Sequence, residues 1–263
     1  MSTHHASLVR RLILEQSRRA NLGHIGSALS IADIMAMLYD GVLHLDGPRE
    51  AVDRFVLSKG HAVLAQYCAL AATGRITADQ LDTFCADGTE LSGHPEHTFE
   101  HVDFTTGSLG HGLSLGTGAA LAAKLQGSPR RAFVLMSDAE CNEGSVWEAA
   151  MFAAQHRLGN LVAILDFNGQ QALGYTRDVL DQSRIVERWD AFGWEVLEVN
   201  GHDVEDMRAL IDALDTKPGA PPHMVVAHTT FGYGVDYMEN QIAWHYLPMD
   251  GEQYSDALRQ VSA

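Results

Sequence analysis

The chain has 263 residues, of which 46% are hydrophobic, which is enough for one large α/β domain. Its 34 acidic and 18 basic residues leave a formal net charge of −16, which excludes a general nucleic-acid or anionic-membrane surface. The three cysteines have no close pairing and no apolar run is long enough to span a bilayer, so we expect a soluble cytoplasmic protein that binds neither nucleic acid nor membrane.

The N-terminal half is predicted to be mainly helical. Helices are expected over 6–20, near 30–41 and over 113–126. A further helix is expected to start in the segment KGHAVLAQY. One strand is predicted at 53–58, and Thr77 with Gln80 forms a capping-box pattern at a further helix start. The irregular segment 86–112 is long for a loop in a compact domain, which is typical of a functional loop.

From residue 132 onward, strands alternate with helices. Strands are predicted over 132–136, 161–165, 194–199 and 223–228. Helices are predicted over 145–158 and 203–214, the second with Asp203 as its N-cap. This alternation favours a mostly parallel sheet with helices on both faces, and therefore an α/β fold as a single domain over residues 1–263.

Asp138 and Asn168 follow two consecutive predicted strands. If helix 145–158 is the crossover between parallel neighbours about 4.8 Å apart, both residues lie at one edge of the sheet. Their side-chain oxygens, with the backbone carbonyl of Gln170, would suit Mg²⁺ or Ca²⁺ and clamp a phosphate or diphosphate. Polar residues are also common in ordinary turns, which would explain Asp138 and Asn168 without a metal. The spacing of the two residues leaves both interpretations open.

Several sequence blocks resemble one enzyme family. The segment SDAECNEGSVWEAAMFAAQHRLGNLVAILDFNGQQALG resembles the thiamine-diphosphate motif of transketolases, which typically begins Gly-Asp-Gly and closes on an asparagine. Further blocks match in the same order: ANLGHIGSALSIADIM, DRFVLSKGHAVLAQY, LSGHPE, TTGSLGHGLSLGTGAALAAK and GVDYMENQIAWH. This resemblance covers nearly the whole chain. It implies the family's diphosphate-binding domain, with thiamine diphosphate and Mg²⁺ as cofactors and Ca²⁺ or Mn²⁺ as possible substitutes.

The resemblance also implies which residues hold these cofactors. Asp138, Asn168 and the carbonyl of Gln170 would hold the metal. The cofactor-binding residues that it implies are His61, Ser108, Leu109, Gly110, Asp138, Ala139, Glu140 and Asn168. Ser137 and Ala139 replace the two glycines of Gly-Asp-Gly, so Ala139 would be strained if its φ were positive. A slightly different loop that still binds is the alternative.

Five residues are implied in catalysis: His24, His61, His94, His245 and Glu143. An isolated histidine in a glycine turn is more often structural, but by resemblance these four line a substrate channel, bind sugar hydroxyls and assist proton transfer. Glu143 matches an acid that links paired cofactor sites across a dimer interface. Its alternative role is to complement the positive end of the helix that follows it.

The resemblance implies the N-terminal subunit of a two-component transketolase, which moves a two-carbon ketol unit from a ketose or ketose phosphate to an aldose. The partner would be a separate C-terminal subunit with the pyrimidine-binding and C-terminal domains, in an α2β2 heterotetramer. That partner would supply the glutamate that protonates the cofactor's aminopyrimidine. One alternative is a subunit of another thiamine-diphosphate synthase that condenses a 2-oxo acid with an aldehyde. Another is a non-catalytic scaffold for the partner.

Overall fold

A computed structural model describes residues 2–107, 109–217 and 219–261. Its strands are β1 Arg54–Leu57, β2 Ala132–Ser137, β3 Leu161–Phe167, β4 Gln170–Gln171, β5 Gly174–Tyr175, β6 Glu195–Asn200 and β7 His223–His228. Five of them form a parallel sheet in the order β1-β2-β3-β7-β6, and β4 pairs with β5 in an antiparallel hairpin.

Helices surround this sheet. They are α1 Ser2–Ala20, α2 Ile25–Ser30, α3 Ala32–Met37, α4 Val63–Ala72, α5 Ala78–Leu81, α6 Gly112–Gln126, α7 Gly144–Gln155, α8 Thr176–Val179, α9 Ile185–Ala191, α10 Val204–Asp212 and α11 Gly251–Val261. Short 3₁₀ turns cover Gly60–Ala62, Asp138–Asn142 and Ile242–His245, and a π-helical turn covers Leu38–Val42. None of the helices in the three described ranges is long and apolar enough to cross a bilayer.

The sheet is buried on both faces, because successive side chains of a strand point to opposite sides. In β2, Phe133 and Leu135 join the core that packs under α1, α3 and α4. Val134 and Met136 join a second core with residues of α6, α7 and α9. The predicted α/β fold, with a mostly parallel sheet and helices on both faces, is therefore confirmed.

The helix of small residues lies close against β2, as its composition allows. A Cβ atom added to Gly116 would lie 2.2 Å from Cγ2 of Val134, so glycine is required for this approach. The glycine sits on the buried face of α6, beside Leu113 and Ala120. At the start of α6, the N–H of Gly112 donates to Ser58 Oγ at 3.0 Å just after β1, which holds the loop before α6 at the carboxyl end of the sheet.

Several predicted helices have different bounds in the structure: α1 begins at Ser2, and α10 covers Val204–Asp212. The segment near 30–41 is broken into α2, α3 and the π-helical turn, with Gly41 at φ 104°. Helix 145–158 ends earlier, at Gln155, because Arg157 takes a left-handed φ of 46°. Both predicted caps are confirmed: Thr77 and Gln80 form a capping box, and Asp203 accepts from the N–H of Asp206.

The arrangement of β2 and β3 decides where the candidate site lies. The two strands are parallel neighbours joined through α7, and Ser137 stands opposite Asp166 in their register. Asp138 and Asn168 therefore leave the sheet at the same edge. Ligands of parallel α/β sheets generally bind beyond the carboxyl ends of the strands, which is this edge.

Candidate functional site

A cavity of about 320 Å³ lies beyond the carboxyl ends of β2 and β3. Eight of the residues singled out from the sequence line it: His24, His61, Leu109, Ala139, Glu143, Asn168, Gln170 and His245. The cavity wall also contains residues that sequence reasoning did not select: Ser27, Lys59, Ser137, Asn142, Gln171, Ala172 and Leu173. Residues far apart in the chain are thus brought to one place.

Asp138 connects the two strand exits directly. One oxygen of its buried carboxylate accepts from the N–H of Ala139 at 2.8 Å, and the other accepts from the N–H of Gly169 at 2.7 Å. Burial raises the pKa of Asp138 to about 7, the charge of Asp166 adds to this, and the two backbone bonds oppose it. The hydrogen bond to Gly169 places the carboxylate beside the turn that carries Asn168.

The side-chain amide of Asn168 is held in one orientation. Its Nδ2 donates to Asp166 Oδ2 at 2.7 Å and to Ser30 Oγ at 3.3 Å, and its Oδ1 accepts from the N–H of Gln170 at 2.9 Å. Because a carboxylate only accepts and a backbone N–H only donates, these partners distinguish the nitrogen from the oxygen. The amide oxygen therefore lies on the side of Gln170.

The oxygen atoms at this edge of the sheet suit a hard divalent cation as ligands. They comprise a carboxylate, an amide oxygen and the nearby carbonyl of Gln170, all oxygen ligands of the type that Mg²⁺ and Ca²⁺ take. In the described ranges, no three His, Cys, Asp or Glu side chains cluster as metal ligands, so a zinc-type centre lacks its ligands there. Lys59 pairs with Asp166, which leaves Asp138 without an ion-pair partner among the described residues. A bound cation would offset that buried negative charge.

The buried carboxylate of Asp138 should make the cation-free chain less stable as the pH rises. An unfolded aspartate titrates near 3.8, whereas Asp138 in the fold has a pKa of about 7. Between these values the folded state holds the proton more tightly, so it loses stability with rising pH. In thermal unfolding scans between about pH 4 and about pH 7, we expect the midpoint of Asp138→Ala to fall less steeply than that of the wild type. Parallel pH slopes would contradict this effect.

The loop after β2 accommodates alanine without strain. Ala139 is not among the residues with positive φ, so the replacement of a glycine there leaves an ordinary backbone. Ser137 and Glu140 instead form a capping box: Ser137 Oγ accepts from the N–H of Glu140 at 3.3 Å, and Glu140 Oε2 accepts from the N–H of Ser137 at 2.9 Å. The side chains of Ser137 and Glu140 therefore hold this loop in shape, whereas the glycines usual in the family have no side chain that could do so.

Glu140 lies behind the cavity wall. Its fully buried carboxylate accepts from the hydroxyl of Ser58 and, at 2.7 Å, from the N–H of Gly110. Burial raises the pKa of Glu140 to about 7 against the effect of these bonds. The side chain therefore fixes the loop that carries Leu109 and Gly110. Direct contact between Glu140 and a cofactor stays a prediction, and Ser108 lies outside the described residues.

Three of the four predicted histidines line the cavity. The rings of His24 and His61 are 5.3 Å apart, and burial together with His94 lowers the pKa of His24. His94 is not part of the cavity wall. His245 is buried against Phe231, with ring centroids 4.4 Å apart, and burial with Lys59 and His24 lowers its pKa to about 4. At neutral pH the imidazole of His245 is uncharged.

Glu143 stands at the cavity and at the start of α7. It is exposed and occupies the N-cap position of α7, but its side chain makes no capping hydrogen bond. A Cβ atom added to Gly110, which has a φ of 85°, would lie 2.9 Å from Cγ of Glu143. The carboxylate is therefore available at the surface, and its proposed link between paired sites stays a prediction.

The comparisons with known proteins point to one family. Residues 1–261 match the family model described as transketolase, thiamine diphosphate binding domain. The chain is 43% identical over 256 residues to one of the subunits of apulose-4-phosphate transketolase from Phocaeicola vulgatus, covering 96% of this chain and 91% of that protein. It is 35% identical over 262 residues to the SqwG subunit of 6-deoxy-6-sulfo-D-fructose transketolase from a Clostridium species, covering 98% and 95%.

Solved structures agree with the sequence comparisons. The fold matches transketolase from Leishmania mexicana with a TM-score of 0.92 and 27% identity. The match covers all of this chain and 41% of that one, so the chain spans about four tenths of that solved transketolase. The predicted family and fold are both confirmed by these likenesses.

Proposed function

The chain belongs to the transketolase thiamine-diphosphate-binding domain family, and from this premise we propose that it is the cofactor-binding subunit of a two-subunit transketolase. The complex transfers a two-carbon ketol unit from a ketose or ketose phosphate to an aldose. The observation that carries the proposal is the hydrogen bond from Gly169 to Asp138, which joins the two strand exits beside a cavity lined by three histidines. The relatives that are named as individual subunits of transketolases support the two-subunit form.

In this proposal, Asp138, Asn168 and the carbonyl of Gln170 would hold Mg²⁺, which would neutralise the charge of the cofactor's diphosphate. Leu109 and Gly110 support the cofactor rings from the loop that Glu140 fixes. When bound, thiamine diphosphate supplies the chemistry that breaks and forms a carbon–carbon bond next to a carbonyl. Ca²⁺ or Mn²⁺ would occupy the same oxygen ligands.

The histidines bind and orient the sugar. His24 and His61 present adjacent rings at the cavity, suited to hydrogen bonds with hydroxyl groups. His245, uncharged at neutral pH because of its low pKa, can accept or donate a hydrogen bond without carrying a charge into the site. His94 lies outside the cavity wall and acts on the site by helping to lower the pKa of His24.

An apolar surface beside the cavity fits a partner subunit. Leu173 lines the cavity and is 80% exposed, and Tyr246 and Leu247 are also exposed. The hydroxyl of Tyr246 donates to the carbonyl of Ala172 at 2.5 Å, which places these residues together. Contiguous exposed apolar groups of this kind mark interaction sites. We assign this surface to the subunit that carries the pyrimidine-binding and C-terminal domains.

A second apolar surface fits another copy of the chain, as an α2β2 assembly requires. Leu125 of α6 and Met151 and Phe152 of α7 are exposed. The two helices end side by side, because Lys124 donates to the carbonyl of His156 at 2.6 Å.

The single-domain organisation and the cytoplasmic location are also parts of this proposal. All three cysteines, Cys68, Cys85 and Cys141, are free thiols, and the first and last of them are buried. Free thiols are the usual state in a reducing compartment. The two cores on either side of one sheet support a single folding unit.

Product analysis with the assembled complex distinguishes transketolase activity from a 2-oxo acid synthase. We expect a ketose or ketose-phosphate donor to lengthen an aldose acceptor by two carbons, and pyruvate to give no condensation product. The matched control is the complex containing Asp138→Ala, which should give neither product. Condensation from pyruvate, with no transfer from any ketose, would overturn the proposed reaction in favour of the synthase.

A further inference from the structure

Asp166 is a buried hub of hydrogen bonds beside the proposed metal site. It stands next to the end of β3 and is completely buried. Its Oδ1 accepts from the hydroxyls of Ser30 at 2.6 Å and Thr229 at 2.5 Å. Its Oδ2 accepts from Lys59 Nζ at 2.5 Å and from Asn168 Nδ2 at 2.7 Å. Four segments of the fold therefore converge on one carboxylate.

The hub determines how Asn168 is presented. The carboxylate of Asp166 accepts from the NH₂ group of Asn168, so the amide oxygen is directed to the backbone N–H of Gln170. The N–H of Gln170 holds the amide oxygen and Asp166 holds the nitrogen, so loss of this acceptor would weaken the preference for one orientation of two ends that have nearly the same shape. Side chains that orient metal ligands in this way commonly contribute 10- to 100-fold, in order of magnitude, to metal affinity.

Lys59 controls the charge of the hub. It is 1% exposed, lines the cavity wall and pairs with Asp166. A second carboxylate near Asp138 without a partner would be a competing ligand for a divalent cation. With Lys59 and Asn168 on Oδ2 and two hydroxyls on Oδ1, both oxygens of Asp166 are already engaged.

On the basis of the proposed function, we propose that Asp166, paired with Lys59, is a positioning residue for the metal site. It holds Asn168 with the amide oxygen towards the cation while remaining outside the ligand set itself. The role differs from that of Asp138, which supplies a ligand oxygen. It also explains why Lys59, a charged side chain, is tolerated in an almost fully buried position.

A charge swap tests this role. Asn168→Asp places a second carboxylate 2.7 Å from Asp166 Oδ2, so the two acids repel each other and the ligand turns away. We expect Mg²⁺-dependent binding of thiamine diphosphate by the assembled complex to weaken about 10- to 100-fold, although negative charge has been added. Combining it with Asp166→Asn removes the repulsion at unchanged net charge and lets the amide at position 166 donate to the carboxylate at 168, but that nitrogen cannot accept from Lys59, so we expect part of the affinity to be recovered in calorimetry.

Two further variants make the result decisive. Asp166→Asn alone keeps the shape of the side chain and should weaken binding about tenfold, whereas Asp46→Asn, at an exposed aspartate outside the cavity wall, should change nothing. Urea unfolding of each chain separates a loss of affinity from a loss of fold. If Asn168→Asp does not fold, the single Asp166 variant and the swap carry the test.

The outcomes are distinct. Undiminished Mg²⁺-dependent cofactor affinity in both Asn168→Asp and Asp166→Asn would overturn the positioning role while leaving the proposed function intact. If the wild-type complex itself binds no thiamine diphosphate, the proposed function and the role of Asp166 both fall. The structure supports weaker cofactor binding in each single variant, partial recovery of affinity only in the double variant, and no change in the Asp46 control.

Discussion

Replacing Asp138 with alanine is expected to abolish the Mg²⁺-dependent binding of thiamine diphosphate by the assembled complex. Asp138 is the only charged ligand in the proposed set, and its carboxylate is fully buried at the junction of the two strand exits. The neutral oxygens of Asn168 and Gln170 alone would hold a strongly hydrated cation poorly. We expect the affinity for the cofactor, measured by calorimetry with and without Mg²⁺, to fall by at least about 100-fold.

This variant needs a check on its fold. Removal of the carboxylate leaves the N–H groups of Ala139 and Gly169 without their acceptor, which costs about 1–3 kcal/mol for each buried donor. Circular dichroism and urea unfolding of the variant reveal whether it still folds, and Asp46→Ala serves as an exposed control. Unchanged cofactor affinity in a folded Asp138→Ala complex would count against the metal role. A wild-type complex with no measurable affinity would instead favour a scaffold without catalysis.

The purified chain by itself is expected to show no transketolase activity, and activity should appear when its partner is added. Leu173, Tyr246 and Leu247 leave an exposed apolar surface beside the cavity, as expected where another subunit completes the site. The family resemblance assigns the glutamate that protonates the aminopyrimidine to that partner. Loss of a single acid–base group of this kind costs about 10²- to 10⁴-fold in rate.

The measurement compares each purified component with the equimolar mixture of the two, using a ketose donor, an aldose acceptor, Mg²⁺ and thiamine diphosphate. We expect the mixture to exceed either component by at least about 100-fold. Leu173→Asp in the chain should weaken this activation, because it places a charge in the apolar surface that the partner covers. Full turnover by the purified chain alone would contradict the division of the site between two polypeptides.

The sequence predicts those parts of the site that depend on regular strand and helix patterns. Asp138 and Asn168 each follow an apolar run of a parallel sheet, and a crossover helix lies between the runs, so their meeting at one edge follows from the parallel direction and close spacing of the two strands. The histidines were found through the order of the family's sequence blocks. His24, His61 and His245 indeed line one cavity.

Other features of the site were left open or were missed. Of the two alternatives for Ala139, the structure shows the different loop: a capping box between Ser137 and Glu140 shapes the turn, and Ala139 has no positive φ. The contact of Glu140 with a cofactor stays a prediction, and the structure adds that its carboxylate is engaged by Ser58 and Gly110 behind the wall. The Ser-x-x-Glu spacing marks the capping box, but no local pattern marks the bonds of Glu140 to partners 30 and 82 positions away.

The sequence by itself determined the parallel α/β sheet, the edge at which ligands meet and the family to which the chain belongs, because periodicity, strand length and motif order are properties of the chain. Only the tertiary structure decided that Asp166 accepts hydrogen bonds from Ser30, Lys59 and Thr229 as well as from the amide of Asn168. A buried carboxylate takes its donors from whichever segments packing brings within hydrogen-bond distance. Those distances are settled by the close packing of side chains from separate elements, to which local spacing contributes almost nothing.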